Sequence, residues 1–573
     1  MSDYEHTNFR LVAGTTGQLL DGLTYDAYGS FYYVTLFNSN NNYLNYANIG
    51  QALIATGTAA HPVCVNPQGN CVPYNIFTQG GVTAPQLNYL ETDGTGYGTT
   101  SEGILHADLT ADMGKWGITS PMAHEGVGLN LGAEHRYDTL VYTPDAALKA
   151  GDLAGFSGAV VPTNAAFDVN EGFLEVRAPI MQDRPFVHDL DVDAGYRYSS
   201  YSSVGSTNAY KFEVQYAPLS DFRLRYSYDR AVRAPNLIEL YNPPAYAQQS
   251  FLGVDPCAGP TPTATPVQCG HTGVTGTQYG SIPQCVAGQC GEVVSGNPAL
   301  KPEQADTYSV GLTLTPTMLP SFTASIDYWH ISFFDLIGVY PGATLFESCL
   351  TTGNPLFCSQ IVRNNITGAL TGATVAGGGY ILQKNYNLGS SIESGLDVQA
   401  SYRLGLGRWG SLTWALNGAY LQHSITTPYP GAKSFDCVGL FGPDCNTNSI
   451  NPRWRHTLRV SWQTPWDRLL LSANWRFISS TTLDNNSSQP ALMFAEFGEY
   501  DAIDARIPNY SYIDLAATFQ VLRNVEVRAG VTNVLDKSPP VISFELTGSG
   551  TPNTYPTYDE LGRDLFVAFT AKF

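Results

Sequence analysis

Apolar and polar residues alternate with a period of two in many segments of this chain. The last nine residues show the pattern without interruption: Leu565, Val567, Phe569, Ala571 and Phe573 share one face, and the residues between them form the other. Because successive side chains on a strand point to opposite faces, this pattern predicts a strand with one oily and one mixed face. Roughly seventeen such segments can be counted. Together they predict an all-β protein.

Charged residues occupy one face of several of these segments. The clearest segments are 222–229, 396–403, 513–520 and 525–532. Their apolar faces suit lipid and their polar faces suit water. The charges on the polar faces, which we expect to line a lumen, are Arg225, Asp397, Arg403, Asp514, Glu526 and Arg528.

The lengths of the connections separate a membrane barrel from a soluble sandwich. Short turns are predicted at 217–221, 315–321, 405–410, 464–467 and 522–524. They alternate with long connections at 230–306, 334–389, 423–453, 479–509 and 533–563. Repeated loops beyond about 15 residues are uncommon in ordinary domains. Short periplasmic turns with long extracellular loops are typical of a transmembrane antiparallel β-barrel.

Composition and charge narrow the function classes. The 573 residues are only 14% charged and 12% aromatic, and the net charge of −20 argues against a nucleic-acid partner. No run of about 18 apolar residues occurs, so no transmembrane helix is predicted. The first nine residues carry Asp3 and Glu5 and resemble no signal peptide.

Strand parity predicts that the barrel is incomplete. If the last strand ends in the periplasm, the first recognisable strand, 9–14, descends from outside. Bacterial barrels have an even strand count and begin with an ascending strand. At least one upstream strand is therefore expected to be missing, which would leave 9–14 as an unpaired edge.

The ten cysteines lie in Gly-, Pro- and Asn-rich connections, where disulfides are favoured over zinc. The predicted pairs are Cys64 with Cys71, Cys349 with Cys358, and Cys437 with Cys445. The remaining cluster fits no standard zinc spacing, so two loop disulfides of open connectivity are expected there. It comprises Cys257, Cys269, His271, Cys285 and Cys290.

Three motifs carry a family resemblance. They consist of Arg233, Ala234, Pro235, Glu239, Leu240 and Tyr241; of Asn297, Pro298, Leu300, Pro302 and Glu303; and of Asn533, Asp536, Gly562, Arg563 and the terminal Phe573. In this order they resemble the TonB-dependent outer-membrane receptors, although Val232 stands where an aromatic residue is usual.

The resemblance implies a barrel of about 22 strands in the outer membrane of a Gram-negative bacterium. Residues 1–573 would be its barrel domain, with about 17 strands and without the plug and the segment that contacts TonB. The implied function is TonB-energised uptake of a siderophore, a cobalamin-like ligand or a carbohydrate by a monomer in lipid. The chain alone is expected not to transport.

The chemistry of the motif residues, taken by itself, predicts structural roles. Pro235, Pro298 and Pro302 are expected where strands leave the membrane, because proline cannot donate to a ladder. Solvated charges are the preferred interpretation of Arg233, Glu239, Lys301 and Glu303, with rim ion pairs as the alternative. Asn533 and Asp536 suit a turn.

No enzyme, cofactor or metal site is predicted. The glycines at 94–98 precede no helix pattern, and Ser157 lacks the spacing of a nucleophile elbow. His135, His330 and His456 suit rim or girdle positions. Two alternative functions stay open, a passive outer-membrane porin and a soluble β-rich surface protein.

Overall fold

The computed structural model describes most of the chain. The described residues are 2–156, 158–249, 254–285, 288–372, 375–445, 449–492, 504–543 and 553–572. Ser157 and the motif residue Phe573 lie outside them, so the interpretations of these two residues stay predictions.

Strands dominate the described part of the chain. In chain order they are β1 (Ser2–Leu20), β2 (Leu23–Leu44), β3 (Ala55–Thr58), β4 (His61–Cys64), β5 (Glu91–Asp112), β6 (Gly128–Pro144), β7 (Thr163–Arg184), β8 (Val187–Tyr201), β9 (Gly205–Leu219), β10 (Phe222–Arg233), β11 (Ala245–Gln249), β12 (Cys290–Ser295), β13 (Glu303–Leu314), β14 (Phe322–Gly338), β15 (Ile361–Val362), β16 (Tyr380–Lys384), β17 (Tyr386–Gly405), β18 (Ser411–Thr427), β19 (Phe435–Asp436), β20 (Leu440–Phe441), β21 (Trp454–Gln463), β22 (Leu469–Ile478), β23 (Thr481–Leu483), β24 (Arg506–Ile507), β25 (Tyr510–Leu522), β26 (Val525–Thr532) and β27 (Asp564–Ala571).

Helices are short and lie in the connections. They are α1 (Tyr46–Leu53), α2 (Ala84–Leu90), α3 (Ala146–Ala150), α4 (Leu237–Tyr241), α5 (Pro266–His271), α6 (Gly342–Thr352) and α7 (Pro355–Cys358). No helix in the described ranges is long and apolar enough to cross a membrane.

The large sheet is a wall of antiparallel neighbours. It has 18 strands when the two-residue β19 is counted, which leaves 17 long ones. These are β1, β2, β5 to β10, β13, β14, β17, β18, β21, β22 and β25 to β27. Each pairs with the next along the chain. The predicted antiparallel barrel wall of about seventeen strands is confirmed.

One face of this wall is apolar and open. Leu105 is 65% exposed, Ile326 47% and Leu565 73%, although each lies in the middle or at the start of a long strand. Within the described residues, no second sheet covers this face. An uncovered apolar face of this extent is typical of a membrane-spanning β-barrel and contradicts stacked-sandwich packing.

Aromatic residues border the apolar face at both ends. Tyr308 lies 6.3 Å from Tyr328 and 4.7 Å from His330 between ring centroids, about halfway along β13 and β14 and on the side of Leu312 and Ile326 that leads to the long connections. At the opposite end, Tyr402 stacks on Trp414 at 6.0 Å. Such belts are typical of the two membrane interfaces.

Two of the three histidine interpretations agree with this arrangement. His330 belongs to the belt near Tyr308, and His456 stacks on Phe477 at 5.3 Å. His135 differs, since its Nδ1 lies 2.9 Å from Asn170 Oδ1 on the same outer face. No ring contact of His135 occurs among the described residues.

The alternation of short turns and long connections is confirmed at all ten predicted places. β1 leads into a tight turn at Asp21 and Gly22, and Gly22 has φ +83°, a conformation that favours glycine. The first strand therefore descends, as expected, but it covers Ser2–Leu20 and is far longer than 9–14. Among the described residues no ladder joins β1 to β27.

Candidate functional site: the lumen wall and its extracellular cap

Ion pairs line the inner face of the wall. Arg225 Nη2 lies 2.6 Å from Asp327 Oδ1, and Arg476 contacts both Asp514 and Asp559. Three further pairs are Arg197 with Glu171, Arg223 with Asp189, and Arg177 with Asp191. The inner face therefore holds several of its charges in neutralised pairs.

The other predicted lumen charges also lie on this face, with different contacts. Arg403 Nε donates to Ser411 Oγ at 3.3 Å, and Arg528 lies over the Phe566 ring at 5.3 Å from its centroid. Asp397 lines a recess in the wall, and Glu526 sits opposite Thr570 on β27. Arg476 and Asp559 were missed, although the alternation in β22 places Arg476 on the polar face.

A polar cavity of about 430 Å³ opens beside the Arg225–Asp327 pair. Hydroxyl and amide groups form much of its lining, including Thr323, Gln399 and Asn417. This composition suits hydrogen bonding to a polar solute or to a protein segment inside the lumen.

The first two motifs meet at one place on the rim. Arg233 donates to both Glu239 oxygens at 3.0 Å and also pairs with Glu303. Glu239 is held by a reciprocal cap with Asn236 at the start of α4. The preferred interpretation, that these charges are solvated, is therefore wrong for Arg233, Glu239 and Glu303. The N-cap bonds with Asn236 hold the Glu239 carboxylate so that both of its oxygens accept from the Arg233 guanidinium.

The remaining residues of these motifs connect wall and loop. Asn297 N donates to Glu239 O at 2.8 Å, and Leu240 and Leu300 are buried. Ala234 and Pro235 separate β10 from α4, which ends at Tyr241, and Pro298 and Pro302 precede β13. The expectation for the prolines is confirmed. The Lys301 side chain has no ion pair with another described residue.

The third motif closes the last long connection. Asn533 and Asp536 have φ of 50° and 53°, and the Asn533 side chain both donates to and accepts from the Lys537 backbone. Asp536 Oδ1 accepts from Arg563 N at 3.0 Å next to Gly562, whose φ is +70°. The turn interpretation is confirmed. The bond between Asp536 and Arg563 joins the start of the last long connection to its end.

Two long connections fold together into one unit above the wall, which we call the cap. Residues 234–302 and 339–385 share a small sheet in which β12 runs parallel to β16, with β11 and β15 at its sides. Buried residues such as Phe346, Leu370 and Ile381 form its core. The sequence did not predict this unit.

A buried ion pair joins the two halves of the cap. Arg363 Nη1 lies 2.7 Å from Asp255 Oδ2, with the side chains only 3% and 1% exposed. Arg363 also donates to Thr272 Oγ1 and Gly368 O. Because a buried charge needs every partner, this guanidinium fixes the position of one connection against the other.

All ten cysteines form disulfides. The predicted pairs Cys64–Cys71, Cys349–Cys358 and Cys437–Cys445 are confirmed. The four cysteines whose pairing the sequence left open form Cys257–Cys269 and Cys285–Cys290. No thiolate of this cluster is therefore left to bind zinc. No group of metal-ligating side chains occurs among the described residues.

Removing the Cys349–Cys358 bridge is expected to loosen the cap. The bridge spans nine residues, and closing a loop of that size stabilises the folded state by about 2.6 kcal/mol in the chain-entropy account. We expect Cys349→Ser/Cys358→Ser to raise hydrogen exchange in α6. The control Cys64→Ser/Cys71→Ser should leave α6 unchanged. Equal exchange in all three proteins would contradict the structural role.

The connection between β18 and β21 is expected to gain stability as the pH falls towards 4. Desolvation and the neighbouring Asp484 carboxylate raise the pKa of Asp444 from its usual 3.8 to about 6. The folded state therefore binds more protons than the unfolded state between these values. Burial also raises the pKa of Asp484, so its contribution has the same sign.

Exchange of the amide protons of Asp444 and Cys445 measures this effect, since both donate to Asp484. Their protection, corrected for intrinsic exchange, should rise between pH 7 and pH 4.5. Asp444→Asn should flatten most of the rise. A protection that falls with acidification would contradict the assignment.

The wall, its connections and its rim contacts define a class of protein. Comparison of the sequence with models of known protein families identifies this class. Residues 1–534 match the family model described as TonB dependent receptor-like, beta-barrel. The chain therefore belongs to this family of outer-membrane β-barrels. No curated protein matches the sequence.

Solved structures with the same fold are receptors and transporters. A ferric enterobactin receptor (PfeA) mutant of Pseudomonas aeruginosa is similar over 99% of this chain and 62% of its own, with TM-score 0.56 and 16% identity. The siderophore receptor PirA of Acinetobacter baumannii is similar over 96% of this chain and 62% of its own, with TM-score 0.50 and 13% identity. The iron transporter FrpB of Neisseria meningitidis is similar over 100% of this chain and 63% of its own, with TM-score 0.51 and 14% identity. The chain thus spans about 62% of the first of these relatives.

Proposed function

We propose that this chain forms the wall of an outer-membrane receptor that takes up a scarce small molecule with energy from TonB. The observation that carries the proposal is the wall with an apolar outer face and ion pairs on its inner face, in a chain matched by the receptor family over residues 1–534. The ligand classes considered are siderophores, cobalamin-like molecules and carbohydrates. In this proposal the receptor acts as a monomer in outer-membrane lipid.

The free edges of the wall bear on this function. β1 and β27 each have one described neighbour, and unpaired backbone in lipid costs several kcal/mol per group. We propose that further strands pair with both edges when the receptor is complete, and that a plug then faces the inner ion pairs.

Two alternatives predict different behaviour. A passive porin shares the lipid-facing wall but needs no TonB. A soluble β-rich surface protein is disfavoured by the open apolar face. The paired rim residues Arg233, Glu239 and Glu303 and the folded cap favour a receptor, because a porin has no need of a recognition unit outside.

Uptake in the bacterium that makes the protein tests the proposal. Labelled ferric catecholate, cobalamin and maltohexaose would be followed in cells with the gene intact, with the gene deleted, and with TonB deleted. We expect one ligand to lose uptake in both deletions. Uptake that needs the gene but not TonB would indicate a porin. Unchanged uptake of all three would contradict the proposal.

A further inference from the structure

The first long connection, residues 45–90 between β2 and β5, has an unusual composition. At the chain average of 14% charged, its 46 residues would hold about six charged side chains, yet it contains no Asp, Glu, Lys or Arg. It contains ten amide side chains instead: Asn45, Asn48, Gln51, Asn66, Gln68, Asn70, Asn75, Gln79, Gln86 and Asn88. Because it follows an ascending strand, this connection lies at the same end of the wall as the cap.

A cavity of about 790 Å³ lies in this connection. It is open to solvent on one side and is lined by α1, by the segment that the Cys64–Cys71 disulfide closes, and by the end of α2. Its volume falls within the usual range for small-molecule sites, about 300–1,000 Å³.

The frame of the cavity is held by its own hydrogen bonds. Gln51 Nε2 donates to Asn66 O at 2.8 Å and Gln68 O at 3.2 Å, and the Tyr89 hydroxyl donates to Gln51 Oε1 at 3.0 Å. Asn48 Nδ2 donates to Tyr89 O at 2.8 Å. These bonds join the helices to the disulfide segment, so the cavity exists before any ligand binds.

A small apolar core supports this frame from the neighbouring connection. Ala52 and Leu90 are buried, as are Leu148 and Leu153 from residues 145–162. Asn45 N donates to Leu90 O at 2.7 Å and Tyr46 N donates to Asp152 O at 2.8 Å. The cavity therefore rests on a packed base above β2 and β5.

Three lining amides remain available to a ligand. The side chains of Gln68, Asn70 and Asn88 make no hydrogen bond to any other described residue, so their donors and acceptors face solvent in the cavity. The Tyr89 ring lies beside them next to Gly69, where an added Cβ would come within 3.9 Å of the ring. The Tyr89 residue is partly exposed.

The lining selects a class of ligand. Among the described lining residues none is Lys or Arg, and Glu91 is the single charged group, so an anionic chelate or a phosphate finds no counter-charge. Amides offer a donor and an acceptor side by side, which matches neighbouring hydroxyl groups. An aromatic ring offers an apolar surface to the C–H face of a sugar.

We propose that this cavity binds a neutral oligosaccharide. The proposal goes beyond transport and relies on the proposed function only for the location of the connection outside the cell. Binding at this cavity can therefore be confirmed or excluded whether or not TonB-dependent uptake is observed.

Calorimetry on the purified full chain in detergent tests this site with maltohexaose, cellohexaose and chitotetraose. We expect saturable binding of at least one sugar. Gln68→Ala and Asn88→Ala should each weaken it about threefold to tenfold, because each removes a hydrogen-bonding pair. Gln79→Ala is the matched control, an amide of the same connection outside the cavity lining, and should bind as the parent does.

Three outcomes would overturn the proposal. They are no binding of any of the three sugars, equal affinity in Gln68→Ala, Asn88→Ala and the parent, and displacement of the sugar by ferric catecholate with the same dependence on these residues. Circular dichroism and gel-shift controls on each variant would confirm that the fold is retained.

Discussion

Replacing Arg363 by alanine is expected to destabilise the cap by about 3–5 kcal/mol, because the change leaves the Asp255 carboxylate buried without its partner. Asp255 is 1% exposed, and its oxygens accept from Arg363 at 2.7 and 3.2 Å. The loss should appear as rapid proteolysis within residues 234–302 and 339–385, while the wall keeps its resistance. Limited proteolysis against denaturant concentration measures it.

The double change Arg363→Met/Asp255→Leu is the matched control. Replacing both charges by apolar side chains of similar size is often neutral, since the desolvation cost disappears with the pair. Stability should recover largely but not completely, because Thr272 and Gly368 lose a donor. If the single variant matched the parent, the ion pair would not be what joins the two halves of the cap.

Replacing Val398 by arginine is expected to cost about 2–4 kcal/mol of folding into a bilayer, the cost of a cation on the lipid face near the midplane. Val398 lies in the middle of β17 between Ile326 and Gly418, on the outer face. Equilibrium folding into lipid vesicles at graded urea concentrations measures the change.

The next residue on β17 gives the control. Gln399 points to the inner face and lines the polar cavity beside Arg225. Gln399→Arg should change the folding free energy by less than about 1 kcal/mol, because the new charge stays in water. Equal costs at both positions would contradict the assignment of the two faces.

The wall could be predicted from sequence because its rule is local. In β25, Leu515, Ala517 and Phe519 lie on the outer face, and their alternation with Asp514 and Thr518 is visible without any knowledge of neighbours. The connection lengths between residues 217 and 563 gave the direction of the strands there, and counting back from these strands gave the direction of the first strand. Three disulfides followed because each pair is close in sequence.

The cap could not be predicted, because its contacts are between distant residues. Asp255 and Arg363 are 108 residues apart, and neither lies in a periodic segment. The parallel pairing of β12 with β16 involves strands of six and five residues, too short for a clear pattern. The rim ion pairs were misjudged for a related reason. The helix N-cap bonds between Asn236 and Glu239, which orient the Glu239 carboxylate, depend on the local fold.

The cavity in residues 45–90 had a signal that composition alone could have shown. A stretch without Asp, Glu, Lys or Arg in an acidic protein is visible in the sequence. Its arrangement around Gln51 and Tyr89 needed coordinates, because α1 and α2 meet across the disulfide segment.

Accessibility of spin labels along β17 tests the central claim most directly. The ten native cysteines are all bridged, so a cysteine placed singly at each position from 396 to 401 is the one free thiol. In bilayers, labels at Leu396, Val398 and Ala400 should collide with oxygen, and labels at Asp397, Gln399 and Ser401 with a water-soluble nickel reagent. Alternation of this kind is the predicted result. Equal access of the nickel reagent to all six labels would contradict a wall between lipid and a water-filled lumen.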